Sequence, residues 1–178
     1  MSVRLALFAI LLTLFACDLP GYGLLFRSAR GPVPTLPPSV QAARRMESAI
    51  ALIAEVNVAR EQEGIRPLEP KADLIEVASQ RGADMIERDY FEHIDPLSGT
   101  AEAERLMRTQ GYTGLLGEVL FASTVEIDEL PAAAVTAWLD SEENRSTLLE
   151  PQYRYTGAAV VKHERWWYVI QVFAERGP

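Results

Sequence analysis

The order of predicted elements indicates an α+β fold, a three-layer α-β-α sandwich in which helices cover both faces of a central antiparallel sheet. Predicted helices dominate the first part of the domain, whereas two long β runs end it, over residues 156–164 and 165–175. The second run is dense in aromatic and β-branched residues and almost continuously apolar, which is typical of a strand covered on both faces. A chain of 178 residues suits one domain with extensions.

Two long helices open the predicted domain. Ser39 is a suitable N-cap for the first, which we expect to run to about Glu63 and to stop at Gly64. Pro70 opens the second, which ends near Tyr90. Helical spacing predicts one inward face on each helix. These faces carry Met46, Ile50, Ile53, Ala54 and Asn57 in the first helix and Leu74, Val77, Ala78 and Met85 in the second.

Shorter elements connect these helices to the C-terminal strands. We expect a third helix over residues 100–110, a strand over 117–123, and a fourth helix over 126–140. Ser141 can cap a further turn that runs through Leu149. His163 lies in a charged Lys-His-Glu-Arg stretch between the last two strands, which predicts a solvated hairpin turn without a site role.

The N-terminal seventeen residues predict a secretory signal peptide. Leu5–Ala16 is an apolar run, broken only by Thr13, whose twelve residues would span about 18 Å as a helix, against roughly 30 Å for a bilayer core. The run ends at Cys17 in a stretch that resembles a bacterial lipoprotein signal, which implies lipidation of Cys17 and attachment to a membrane. The alternative is a plain signal peptide with an incidental cysteine. Residues 18–38, rich in Gly and Pro, are predicted to be a tether to a domain over 39–178.

Charge and cysteine content exclude several classes of protein. The net charge is −8, which argues against nucleic acid as a partner, because such binding needs clustered Lys and Arg. It also argues against electrostatic docking on anionic lipid. A single cysteine excludes an intramolecular disulfide.

Four motifs occur in a characteristic order along the predicted domain. They are an Asn-x-x-Arg at 57–60, an aromatic-x-His at 91–93, Gly-Glu at 117–118, and a Trp-rich strand that ends at 171–174. Together they resemble the CAP superfamily of cysteine-rich secretory, antigen 5 and pathogenesis-related 1 proteins, in its bacterial SCP-like form. The similarity covers roughly residues 45–175 and implies the α-β-α sandwich.

The resemblance also implies a surface cleft that in many members holds two histidines and two acidic residues able to bind a divalent metal. In this chain two of the four family positions have changed, because a serine replaces the second acid and an asparagine replaces the second histidine. Glu142 and Glu143 lie close in sequence, and either would be a replacement ligand if it turned into the cleft. The four positions are His93, Glu118, Ser141 and Asn144.

Only two of these side chains are strong metal ligands. A catalytic zinc usually has three protein ligands, and an amide oxygen such as that of Asn144 suits harder cations. We therefore expect no cofactor, with a divalent metal on His93 and Glu118 as the alternative. The structural interpretation is a His93–Glu118 hydrogen bond that fixes the loop after the second helix and gives a buried carboxylate its partner.

The resulting expectation is an extracytoplasmic protein, membrane-anchored or secreted, that binds a lipid-like small molecule or an envelope component without catalysis. A metal-dependent or His93-dependent hydrolase is one alternative, although none of the nearby hydroxyls lies in a nucleophile motif. A purely structural envelope module is another. Those hydroxyls belong to Ser98, Thr100 and Ser141.

Overall fold

A computed structural model describes residues 36–178 of the chain. The predicted signal peptide, Cys17 and most of the predicted tether lie outside the described residues. The elements, in chain order, are α1 (Pro38–Gln62), β1 (Glu69–Pro70), α2 (Ala72–Glu87), α3 (Glu102–Thr109), β2 (Thr113–Ser123), α4 (Leu130–Asp140), α5 (Glu142–Leu148), β3 (Tyr155–His163) and β4 (Trp166–Arg176).

The four strands form one sheet in the order β1-β3-β4-β2. β4 pairs antiparallel with both β3 and β2, whereas the two-residue β1 pairs parallel with β3 through Glu69 and Tyr155. The register between β2 and β4 shifts between Thr113 and Leu116. Gly114 lies at this irregularity with a φ of 75°, a conformation that favours glycine. The sheet is therefore antiparallel, as predicted, apart from its short outer strand.

Helices cover both faces of the sheet, which confirms the predicted three-layer fold. Successive residues of a strand point to opposite faces, and β4 shows this alternation throughout. Val169 and Phe173 pack in a core with α1 and α4, whereas Ile170 and Val172 pack in a second core with α2 and α3. Both cores are apolar, so the nearly continuous apolar sequence of β4 follows from its central position.

The predicted inward face of α1 is largely wrong. Met46 and Ile50 are 49% and 57% exposed, and the buried stripe instead runs through Ala49, Leu52, Ile53, Val56, Ala59 and Arg60. Met46 and Ile50 share helical spacing with the buried Ile53, which is why the sequence pattern points to the wrong face. The predicted N-cap is also incorrect, because α1 begins at Pro38 with no side-chain cap, and proline suits the first turn since its missing N–H needs no partner.

The predicted inward face of α2 is correct, since Leu74, Val77, Ala78 and Met85 are all fully buried. The helix lies directly on β3. A Cβ atom on Gly157 would come within 2.1 Å of the backbone of Leu74, so only glycine allows this approach. The helix begins two residues after Pro70, which is extended in β1. This close packing fixes the position from which α2 presents Arg81 to β2.

His163 differs in part from the expectation. It is the last residue of β3, and its side chain is only 22% exposed. Its ring lies 5.5 Å from that of Tyr168, and its Nε2 lies 3.5 Å from a carboxylate oxygen of Asp89. The exposed turn consists of Glu164 and Arg165.

Candidate functional site

His93 and Glu118 lie in direct contact beside a surface cleft. His93 is in the loop between α2 and α3, and Glu118 is on β2 opposite Val172 of β4. The His93 Nδ1 and Glu118 Oε2 atoms are 2.9 Å apart. The Glu118 side chain is 6% exposed, whereas that of His93 is 49% exposed. The carboxylate is thus held inside the protein, and the imidazole extends from it to the surface.

A buried arginine contacts the other side of the same carboxylate. Arg81 has no exposed side-chain surface, and its Nε atom lies 3.0 Å from Glu118 Oε1. This contact is an ion pair without the geometry of a hydrogen bond. The Arg81 Nη1 atom donates to the Tyr90 hydroxyl at 2.6 Å, and Nη2 donates to the carbonyl of Glu92. Both oxygens of Glu118 are therefore engaged inside the protein.

The hydrogen bond with Glu118 raises the pKa of His93 above its ordinary value. Partial burial and the nearby charge of Arg81 lower this pKa, and the charges of Glu118 and Glu143 raise it, with the balance upward. His93 consequently keeps its proton to a higher pH than a free histidine. A protonated imidazole is a hydrogen-bond donor and can neither bind a metal nor act as a base.

A second group of charges fixes the loop that carries His93. Asp95 Oδ1 accepts hydrogen bonds from the backbone N–H groups of Leu97 and Ser98, which closes a side-chain turn, and Asp95 Oδ2 lies 2.5 Å from Arg88 Nη1. Arg88 also donates to both oxygens of Asp84. Burial alone would raise the pKa of Asp95, but these hydrogen bonds outweigh it and hold the pKa below its usual range.

Sequence reasoning missed the role of Arg81, although one signal for it exists. Arg81 continues the inward stripe of α2 at helical spacing from Leu74, Val77 and Ala78. A charged residue at such a position needs an interior partner. The stripe alone does not name that partner, because β2 follows some thirty residues later in the chain.

The cleft beside His93 has a volume of about 250 Å³. Its lining is mainly small or apolar, and Glu104 and Glu143 add carboxylates at its rim. Of the four predicted cleft positions, His93 and Glu118 line it. Ser141 instead caps α5, where its hydroxyl accepts from the N–H of Asn144 at 3.5 Å. The remaining lining residues are Ala101, Ala103, Glu104, Met107, Leu116, Gly117 and Glu143.

The side chains at this cleft do not fit a tightly held transition metal. No cluster of three or more His, Cys, Asp or Glu side chains suited to a metal occurs in residues 36–178. Both Glu118 oxygens and the His93 Nδ1 atom are already engaged with one another or with Arg81. The other imidazole nitrogen and the carboxylates of Glu143 and Glu104 remain, but Arg108 already pairs with Glu104, and these side chains do not form a cluster suited to a metal.

The fold and the His–Glu pair at its cleft define a class of protein, an α-β-α sandwich with a surface site at the end of its second long helix. The family model "CAP: Cysteine-rich secretory protein family" matches residues 53–173. The chain therefore belongs to the CAP family.

Known relatives agree with this assignment. An uncharacterised Bacillus subtilis protein, YkwD, is 27% identical over 112 residues, which cover 62% of this chain and 41% of that protein. The uncharacterised B. subtilis membrane protein YlbC is 32% identical over 120 residues, which cover 67% of this chain and 32% of that protein. The chain thus spans less than half the length of these curated relatives.

Solved structures share the fold. An extracellular Bacillus anthracis protein containing an SCP domain has a TM-score of 0.67 and 26% identity, over 81% of this chain and 45% of that one. An outer surface protein of Borrelia burgdorferi has a TM-score of 0.63 and 22% identity, over 73% of this chain and 93% of that one. Within residues 36–178, no helix has both the length and the apolar character needed to cross a membrane.

Proposed function

We propose that this protein works outside the cytoplasm as a non-catalytic binding module, and that its cleft takes a lipid-like small molecule or a similar envelope component. The observation that carries the proposal is the engagement of both Glu118 oxygens. With Arg81 on one oxygen and His93 on the other, the carboxylate orients the imidazole instead of binding a ligand itself. The cleft then offers the exposed edge of His93 and the rim carboxylates of Glu104 and Glu143 beside an apolar wall.

The shape and lining of the cleft support a ligand with an apolar part. Ala101, Ala103, Met107 and Leu116 give a surface on which hydrocarbon can pack, and burial of such surface drives binding at about 25 cal/mol per Å². The volume of 250 Å³ lies just below the range of about 300–1,000 Å³ usual for small-molecule pockets. The cleft would therefore hold one end of a longer molecule.

Native mass spectrometry of protein extracted from its own membrane tests this proposal. We expect a bound small molecule that contains hydrocarbon. Leu116→Trp, which fills the cleft, should abolish binding of this molecule. Leu115→Trp, a matched change at the exposed neighbouring residue, should leave binding intact. A bare wild-type chain, or a metal in place of an organic molecule, would overturn the proposal.

Hydrolysis is the second candidate, and the 2.9 Å His93–Glu118 contact favours it, because an oriented imidazole is half of a general-base arrangement. In residues 36–178, however, no serine, threonine or tyrosine hydroxyl is hydrogen-bonded to His93. A panel of esters and peptides separates the two functions. If the wild type hydrolysed one of these substrates and both His93→Ala and Glu118→Gln had lost that activity, hydrolysis and not binding would be the function of the cleft.

Attachment to a membrane through lipid on Cys17 belongs to the same proposal. Each buried CH₂ of an acyl chain contributes about 0.8 kcal/mol to membrane binding, so lipidation would hold an acidic domain at a bilayer that does not attract it electrostatically. Labelling with palmitate should mark the wild type and not Cys17→Ala. Equal labelling of the two would refute lipidation and leave a secreted protein.

A further inference from the structure

Two surface hollows meet at the end of the sheet opposite the β3–β4 hairpin, and neither contains a residue of the His93 cleft. The larger, of about 470 Å³, is lined by Glu175, Arg176 and Gly177, and the smaller, of about 190 Å³, by Arg66, Pro67 and Glu69. Both also include Arg154 and Tyr155, so they form one continuous surface. We call it the arginine hollow.

Each carboxylate in the arginine hollow already has a partner. Glu69 Oε1 lies 2.5 Å from Lys71 Nζ. Glu175 Oε1 lies 3.0 Å from Arg176 Nη2, and its Oε2 accepts the backbone N–H of Leu115 at 2.9 Å. That hydrogen bond, with the nearby charges of Arg176 and Arg154, holds the pKa of Glu175 below its ordinary value. Both acids are therefore paired with neighbouring cations.

Two guanidinium groups remain. Arg66 and Arg154 are exposed, and within residues 36–178 neither forms an ion pair or a side-chain hydrogen bond. The charged residues that line the arginine hollow are Arg66, Arg154, Arg176, Glu69 and Glu175, which give a net charge of +1, or +2 with Lys71, the partner of Glu69, in a chain whose total is −8. An isolated positive surface on an acidic protein marks the place where an anion would bind.

We propose that Arg66 and Arg154 bind a phosphate group carried on an anionic polymer. A guanidinium is a planar fork that donates two parallel hydrogen bonds to phosphate, and two such forks in one hollow match a single phosphate with several acceptor oxygens. The continuity of the two hollows through Arg154 suits a chain of phosphates, since a neighbouring phosphate would reach the Arg176 side. This site is separate from the cleft and does not rest on its function.

The arginine hollow lies at the C-terminal end of the longest helix. α1 runs from Pro38 to Gln62, and its 25 residues span about 37 Å. Arg66 follows the C-terminal end of α1, whereas the chain toward Cys17 leaves from the N-terminal end. The hollow therefore lies at the end of α1 that is remote from Pro38.

Calorimetric titration of the protein with short-chain inorganic polyphosphate tests the proposal. Wild type should bind, with an affinity that falls as salt rises. Arg66→Glu/Arg154→Glu should weaken binding by at least about tenfold, because each lost charge-assisted hydrogen bond is worth more than one decade. The matched control is Lys162→Glu/Arg165→Glu, which reverses two exposed cations at the opposite end of the same strands.

The possible results distinguish a specific phosphate site from non-specific electrostatic attraction between the protein and polyphosphate. The proposal is supported if polyphosphate binding is lost in Arg66→Glu/Arg154→Glu and retained in Lys162→Glu/Arg165→Glu. Arg66→Gln/Arg154→Gln removes the two positive charges without introducing carboxylates and should weaken polyphosphate binding as well. Circular dichroism checks that each variant folds. Equal weakening in both double variants, no binding by wild type, or binding only to phosphatidylglycerol vesicles and not to soluble polyphosphate would overturn the proposal.

Discussion

Arg60 and Arg81 are both fully buried, one on each side of the sheet, yet their partners differ in kind. Arg60, on α1, donates only to backbone carbonyls, most of them in segments far away in the chain. The distances are 3.1 Å to Arg66 O, 2.6 Å to Leu148 O, 3.1 Å to Glu150 O and 3.5 Å to Tyr153 O. Burial lowers the pKa of Arg60, and no carboxylate forms an ion pair with it in residues 36–178.

Arg81, on α2, contacts the carboxylates of Glu118 and Asp84, the hydroxyl of Tyr90 and one backbone carbonyl. The difference teaches that equal burial does not imply an equal role. An arginine bonded only to carbonyls ties chain segments together, and Arg60 is not among the groups that shift the pKa of His93. An arginine paired with Glu118 orients the carboxylate that in turn holds His93.

Arg60→Met should cause the largest loss of stability. It leaves several buried carbonyls without donors, and each such group costs about 1–3 kcal/mol, so we expect the free energy of unfolding to fall by about 3–5 kcal/mol. Urea unfolding measures this loss. The same change at exposed Arg66 should alter stability by no more than about 0.5 kcal/mol. If Arg60→Met also shifted the pKa of His93, the proposed separation between the two arginines would fail.

Arg81→Met should cost less stability, about 2–3 kcal/mol, because Glu118 keeps protonated His93 as a partner. Its distinctive effect is on the site. Since the positive charge of Arg81 lowers the pKa of His93, removing that charge should raise this pKa further. Titration of the His93 ring proton by NMR measures the change. An unchanged or lower pKa would show that Arg81 is only a packing element.

The sequence predicted the parts of the molecule whose pattern is local. The apolar stripe of α2 and the strand β4 follow from periodicity, because each buries the same kind of residue at nearly every inward position. The stripe of α1 was misassigned, because Met46 and Ile50 lie at helical spacing from Ile53 yet are exposed, and they compete with the true buried stripe. A buried charge becomes intelligible only when its partners are known, and those of Arg60 lie up to 93 residues away.

For the site, the sequence predicted only the residues that the family resemblance named. The resemblance named His93 and Glu118, and the structure brings them together. It also named Ser141, which caps α5, whereas Glu143 of the same turn lines the cleft. The cause is the helical turn itself, since successive residues of α5 point in different directions, and only the packing of that helix decides which one faces His93.

Glu118→Gln should have the smallest effect on stability at neutral pH and above, because the amide oxygen of glutamine can still face Arg81, but it should reverse the shift at His93. Without the carboxylate, the pKa of His93 should fall toward its ordinary value, as followed by NMR. Glu104→Gln, a change at a cleft acid paired with Arg108, should leave this pKa unaltered. A wild-type pKa in Glu118→Gln would refute the hydrogen bond as its cause.

The same substitution predicts how stability depends on pH. Because the folded-state pKa of His93 is raised, its contribution is fully present below the unfolded value of about 6.5 and disappears as pH rises through the folded pKa. The difference in unfolding free energy between wild type and Glu118→Gln should therefore be larger at about pH 5.5 than at about pH 8.5. The change should be modest, since His93 is half-exposed and solvent screens its charge. If the difference in unfolding free energy instead grew toward high pH, protonated His93 would not be the partner that Glu118 stabilises. The ion pair with Arg81 would then be the stabilising contact of that carboxylate.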